Sequence, residues 1–414
     1  MESKVMSQEI HIQENIQEKS DIVLERRGSA GLITLNRPKA LNALSLQMVR
    51  DLTAALLAWR DDPTVLLVAI RGSNKKGQPG TPEALFGGFC AGGDIRFFHE
   101  AATSGDASDT KALEDFFTEE YTLNHLIHTY PKPYIAFMDG VVMGGGMGLC
   151  QGEALGAPLG KYEGADGTSP SARGQGGKVR IVTEHTKMAM PETNIGLFPD
   201  VGGGYFLSRC PGHVGEYLAL TGEVIGADDA IGFGLADLKR NAAELPAIWD
   251  ALGNQTFESA VAADKWLATE LIADVARGTG AASHIDNYFS LLRVKHIVDA
   301  LEKAKDDVWA SKTAAILRKR SPLMLHVVLE QIRKARGMSL ADDLRMERDM
   351  VYQCFHLRPD TESETVEGIR ALAVDKDYTP KWMPARIEDV KPGMADVFFV
   401  SPWTPESHPL RGLQ

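Results

Sequence analysis

The chain is poor in cysteine, in excess basic charge and in long apolar runs, and each shortage removes a class of protein. Four cysteines among 414 residues (Cys90, Cys150, Cys210 and Cys354) form no Cys-x-x-Cys pair. That excludes a disulfide scaffold and a cysteine-rich zinc site, and fits free thiols in a reducing compartment. Lys and Arg total 44 against 56 Asp and Glu, a net charge of -12, and no basic segment dominates, so nucleic acid is not an expected partner. No apolar run approaches the ~18 residues that a membrane span needs. The 11 histidines show no His-Glu-x-x-His or similar spacing, so no metal site is expected. Residues 1–21 read as a polar, mobile leader carrying Glu2, Glu9, Glu14 and Glu18. They lack the apolar core of a signal peptide and the Arg-rich, acid-poor character of a mitochondrial transit peptide, so the expected compartment is the cytoplasm.

What is present is globular. Hydrophobic residues make up 44% of the chain, enough for a sizeable core, and the length suggests two domains. IVLERR at 22–27 and LITL at 32–35 flank Gly28-Ser29-Ala30-Gly31, a hairpin with a glycine turn. Ser45 caps a helix in which Val49, Leu52, Leu56 and Trp59 recur at helical spacing. The continuous apolar run 65–70 then reads as a parallel strand buried on both faces. A second unit follows, with a helix around 112–129 and a strand at 133–138, and a third strand is expected at 179–182. Strand–helix alternation makes 22–240 an α/β region with crossover connections. Beyond it, 241–414 is mostly helical: Ser321-Pro322 starts a helix that stops near Gly337, and Ser339 starts another running to about Phe355. Residues 72–83 and 151–177 are rich in Gly, Ser and Pro and should be exposed, mobile loops.

Three stretches carry chemistry. Phe89-Cys90-Ala91-Gly92-Gly93-Asp94-Ile95 and Met143-Gly144-Gly145-Gly146-Met147-Gly148 place small residues at helix starts, where backbone N–H groups are unpaired. Read as turns at the carboxyl ends of parallel strands, they can jointly hold one carbonyl oxygen. The third, 190–204, sets Glu192 and Asp200 eight residues apart around an apolar, Pro-bounded run. Desolvation there can raise a carboxyl pKa toward that of a general acid or base.

FCAGGDI, the VMGGG turn after PKPYIAFMDG, and MPETNIGLFPDVGGGYFL together resemble the enoyl-CoA hydratase/isomerase (crotonase) superfamily, and within it the 3-hydroxyisobutyryl-CoA hydrolase branch. The similarity covers about 22–240 and continues through EGIRA at 367–371 and DKDYTPKW at 375–382. The resemblance implies a crotonase-like ββα spiral core followed by the helical C-terminal region. It implies an oxyanion hole made by the amides of Gly93 and Gly145, with Glu192 and Asp200 as the family's two carboxylates. Glu120, in Glu119-Glu120-Tyr121, falls on a substrate-contacting glutamate. Arg37, Lys39, Ala40 and Leu41 fall in the loop that binds CoA, which is part of the substrate; no other cofactor is implied.

Hydratases carry a second glutamate after the glycine run. Here that position is Gly148, and Asp200 stands where hydratases have a glycine. The expected activity is therefore hydrolysis of a short 3-hydroxyacyl-CoA, such as 3-hydroxyisobutyryl-CoA in valine breakdown. A hydratase or isomerase and a non-catalytic CoA-binding protein are the alternatives. Glu192 is expected either to activate water or to attack directly. Asp200 is expected to hold the substrate hydroxyl or to manage the proton of the departing thiolate, and Glu120 to recognise the hydroxyl. Residues 151–169 look like an insertion between the glycine turn and Glu192, which either reshapes the pocket or, the favoured reading, lies outside it. Superfamily members are often trimers or paired trimers; a homo-oligomer fits, and so does a C-terminal region covering the same surfaces within one chain.

Overall fold

The computed structural model describes residues 20–76, 86–152, 177–271 and 283–414. The leader to residue 19, the glycine-rich loop from 77 and the 153–176 stretch lie outside the described residues.

The hairpin forms from β1 (Ile22–Arg27) and β2 (Ala30–Leu35), paired antiparallel from Ile22 opposite Leu35 to Arg27 opposite Ala30. Its turn is two residues, Gly28-Ser29, rather than the four that composition suggested. Gly28 takes φ +53°, and the strand resumes at once. Gly31 belongs to the strand because a Cβ there would lie 2.5 Å from the Trp59 ring, which packs flush on it. Trp59 sits on α1 (Leu46–Asp61), which Ser45 caps by accepting the Met48 N–H at 3.3 Å. β3 (Leu67–Gly72) follows, then α2 (Ile95–Thr103) and the 22-residue α3 (Ala107–His128).

β4 (Tyr134–Met138), β5 (Val141–Met143) and the single turn α4 (Gly145–Gly148) make a second strand–strand–helix unit. β6 (Lys178–Val182), β7 (Lys187–Ala189) and α5 (Gly203–Leu207) make a third. α6 (Val214–Thr221) and β8 (Leu238–Lys239) end the region. The main sheet runs β1-β2-β3-β4-β6-β8, and every neighbouring pair after the hairpin is parallel.

β2, β3, β4 and β6 are buried throughout, as the apolar run at 65–70 foretold. Alternate side chains go to opposite faces. Ile33, Val68, Ile70 and Ala136 join the core beneath α1 and α3. Leu32, Ala69, Ile135 and Phe137 face Trp249 and Leu252 of α7 (Leu245–Asn254).

The expected C-terminal helices are α8 (Pro322–Ala335) and α9 (Leu340–His356), capped by Ser321 and Ser339, with α10 (Glu364–Ile369) after them. They share the core of the sheet region. One cluster of buried apolar side chains runs from Ile22 to Leu410 and contains Leu325, Ile332 and Leu344.

One expectation needs correcting. The two glycine turns do not end strands of a single parallel sheet. β5 and β7 form a separate two-stranded parallel sheet, and Cys90 bridges β5 on its other side. These strands are three residues long, too short to leave a periodicity in the sequence.

Candidate active site

β5 organises the site. On one edge Cys90 donates its N–H to the Val141 carbonyl (2.9 Å) and accepts the Met143 N–H (2.9 Å). On the other edge β7 runs parallel, and the Gly144 N–H reaches the Ala189 carbonyl at 3.3 Å. The Gly92-Gly93 turn, the glycine run and Met190-Pro191-Glu192 therefore hang side by side from one short strand.

The first turn is fixed again from the 37–44 loop. Leu44 donates to Gly92 (2.8 Å) and accepts from Asp94 (3.1 Å). This pairing turns the Gly93 N–H to the opposite side. Neither it nor the Gly145 N–H has an acceptor among the described residues. The two glycines adjoin: a Cβ on Gly145 would lie 3.4 Å from the Gly93 nitrogen. Two neighbouring, unused N–H donors are what a developing oxyanion requires.

Three carboxyls surround them. A Cβ on Gly144 would meet Glu192 Oε1 at 2.7 Å, and one on Gly145 would meet Glu120 Oε1 at 2.5 Å. Glu192, on the 3-10 turn Glu192–Ile195, and Glu120, on α3, are buried. Glu192 Oε2 and Glu120 Oε1 have no hydrogen-bond partner among the described residues. Burial is the main cause that raises both carboxyls well above their ordinary range, and the charge of Asp200 adds to it. Asp200, also buried, is pushed up to about 7 by desolvation, opposed by the Tyr121 hydroxyl that donates to its Oδ2 at 2.9 Å.

Asp200 is held by groups that sequence reasoning missed. Val201 follows it at φ +57°, a left-handed conformation that a β-branched residue avoids. Such a conformation persists where the surroundings over-determine it. Here Glu347 of α9 accepts the Gly202 N–H (2.7 Å) and the Gly204 N–H (2.9 Å), while Asp343 accepts the Tyr205 N–H (2.8 Å). Gln331 of α8 donates to the Pro199 carbonyl (2.6 Å) and to Glu347 (3.2 Å). Glu347 is raised well above its ordinary value by burial and by Asp343, which burial itself pushes up to about 7. The acids at 343 and 347 lie on a helix face with no local motif, and only tertiary packing assigns them this task.

Position 148 is occupied territory. A Cβ there would lie 2.7 Å from both Asn124 Nδ2 and Val201 Cβ, so a glutamate cannot enter without displacing both. The loop expected to bind CoA runs beside the first turn, with the Ala91 N–H donating to the Leu41 carbonyl at 3.1 Å. Arg37 is engaged by Asp94 (2.8 Å) and the Ala43 carbonyl (2.9 Å). Lys39 and Leu41 are exposed and Ala40 is half-buried. No group of three or more His, Cys, Asp or Glu poised to hold a metal, and no helix long and apolar enough to cross a membrane, occurs among the described residues.

The family described as enoyl-CoA hydratase/isomerase matches residues 30–155 and 173–399. A protein named 3-hydroxyisobutyryl-CoA hydrolase, mitochondrial, from Gallus gallus is 34% identical over 394 residues, 92% of this chain and 89% of that one. One of the same name from Danio rerio is 36% identical over 397 residues, covering 92% and 90%. Among solved structures, an enoyl-CoA hydratase from Rhodobacter sphaeroides superposes with TM-score 0.72 at 32% identity, over 92% of this chain and 98% of that one. A carnitinyl-CoA dehydratase from Mycobacterium thermoresistibile gives 0.73 at 35% identity, over 94% and 98%.

Proposed function

This chain belongs to the enoyl-CoA hydratase/isomerase family, and from that premise we propose that it hydrolyses the thioester of 3-hydroxyisobutyryl-CoA to 3-hydroxyisobutyrate and CoA. The observation that carries the reading is the placement of buried Glu192 against Gly144, next to two unused amides, while the position of the second hydratase glutamate is sealed by Asn124 and Val201.

In this mechanism the amides of Gly93 and Gly145 hold the thioester carbonyl oxygen and stabilise the negative charge it gains in the tetrahedral state. Glu192, as carboxylate, takes a proton from the attacking water. Burial, with the Asp200 charge, raises its pKa and so strengthens it as a base. Asp200, pushed up to about 7 and oriented by Tyr121, holds a proton near neutrality that it can hand to the departing sulfur. Glu120 bonds the acyl hydroxyl. CoA lies along the 37–41 loop, its phosphates near Lys39, with Arg37 shaping the loop and Ala40 and Leu41 beside the nucleotide. We place its action in the cytoplasm; fractionation of the tagged full chain tests this, and recovery in mitochondria refutes it.

The structural relatives named as a hydratase and a dehydratase motivate the alternative of water addition to a double bond. One pair of assays separates the readings. Thiol release from 3-hydroxyisobutyryl-CoA, with no loss of the conjugated double bond of crotonyl-CoA, supports hydrolysis; the converse result refutes it. Glu192→Gln should lower thiol release by about 10²–10⁴-fold while leaving CoA binding intact. Near-normal turnover in that variant refutes its assignment.

A further inference from the structure

Asn124 is a buried polar side chain beside the candidate site that the mechanism above leaves unused. It lies on α3 one helical turn after Glu120, is 4% exposed, and neither its Nδ2 nor its Oδ1 has a hydrogen-bond partner among the described residues. Leaving one buried polar group unpaired costs about 1–3 kcal/mol, so an amide with both ends unpaired calls for a reason.

Its neighbours supply one. Residues i and i+4 share a helix face, so Glu120 and Asn124 point the same way. The facing helix α4 meets them in step: Glu120 Oε1 adjoins Gly145, and Asn124 Nδ2 adjoins Gly148, three residues further along. Gly145 supplies one of the two amides that receive the thioester oxygen. A chain leading from that oxygen along α4 passes from Glu120 to Asn124 in about one helical turn, roughly 5 Å. The carbinol oxygen of a 3-hydroxyacyl group lies three bonds beyond the carbonyl carbon, within that stretch. A hydroxyl both donates and accepts. An ionised carboxylate only accepts, whereas an amide offers N–H donors as well.

We propose that Asn124 is a specificity-determining residue for the acyl hydroxyl. Its Nδ2 donates to the hydroxyl oxygen, and the hydroxyl donates its own proton to Glu120. Gly148 is small because the Asn124 amide occupies the volume beside it. The inference deepens the hydrolase reading and rests on it.

The test compares Asn124→Ala and Asn124→Leu with wild type on 3-hydroxyisobutyryl-CoA and on isobutyryl-CoA, which lacks the hydroxyl, following thiol release. Both variants should lose about 10–100-fold in kcat/KM on the hydroxyacyl substrate and stay within about threefold of wild type on isobutyryl-CoA. An equal fall on both substrates, or no fall on the hydroxyacyl substrate, overturns the proposal. With no internal partner to lose, both variants should also melt within a few degrees of wild type. If neither folds, Asn124 is a structural residue and the proposal fails. Wild-type enzyme that releases thiol from neither substrate fails earlier, at the hydrolase reading itself, and so is distinguished from failure at Asn124.

Discussion

Asp200→Asn should make the protein more stable and nearly inactive, with a gain that depends on pH in a defined direction. The Asp200 carboxyl is pushed from 3.8 to about 7 by burial. Between these values the folded state keeps a proton that the unfolded state releases. Stability from this group is therefore complete below about pH 4 and drains away as pH rises through 7. At about 1.4 kcal/mol per tenfold change in proton affinity, the loss by pH 8 is of the order of 4 kcal/mol. Asparagine has the same shape, keeps an oxygen for the Tyr121 hydroxyl bonded to Oδ2, and does not titrate. Part of the upward push on Glu120 and Glu192 comes from Asp200, so the substitution relieves them as well. For a chain of 414 residues unfolding with ~2 cal/mol/K per residue, 4 kcal/mol corresponds to about 5 °C in Tm. The assay is thermal unfolding of both proteins from pH 4 to pH 8.5, with thiol release measured alongside. The variant should melt higher than wild type at pH 8, the gap should close toward pH 4, and turnover should fall at least 10²-fold. A gap that ignores pH, or a variant that melts lower at pH 8, would show that the carboxylate is not paying a desolvation penalty and would refute the reasoning.

Two further substitutions probe the support of the site. Glu347→Leu removes the acceptor for the Gly202 and Gly204 N–H groups, so stability should drop by about 2–6 kcal/mol, read by denaturant melts, and kcat should fall more than KM changes; unaltered kcat would detach this anchor from Asp200. Gly148→Ala forces a methyl against Asn124 and Val201, which should lower stability by about 1–3 kcal/mol, again by denaturant melts, and reduce thiol release; a silent substitution would mean the pocket wall yields freely.

The residues of the candidate site were legible because each lies in a short contiguous motif. The structure brings the Gly93 and Gly145 turns beside Glu192 and Glu120, with Asp200 close enough to act on both carboxyls. Glu120 was marked by the Glu-Glu-Tyr run, although nothing local revealed that the next tyrosine bonds Asp200. Helix starts at Ser45, Ser321 and Ser339 were readable because capping is a local interaction. The three-residue strands were invisible for the opposite reason: their pairing partners, not their composition, define them. Glu347 and Gln331 escaped notice because a polar residue on an amphipathic helix ordinarily faces water, and only the folded chain shows both at 0% exposure beneath the Asp200 loop. The two-residue turn at Gly28-Ser29 was misjudged because Gly31 reads as loop until Trp59 is laid on it.

The anchoring of the Gly202 amide by a side chain 145 residues downstream has a consequence for biosynthesis. A ribosome adding ~5–20 residues per second leaves that contact unmade for on the order of ten seconds after the loop emerges. Throughout that interval the nascent polypeptide carries every residue of the proposed catalytic site, yet lacks the brace that holds the Asp200 loop. Competence to turn over should thus be acquired late, when α9, the last long helix of the described residues, docks.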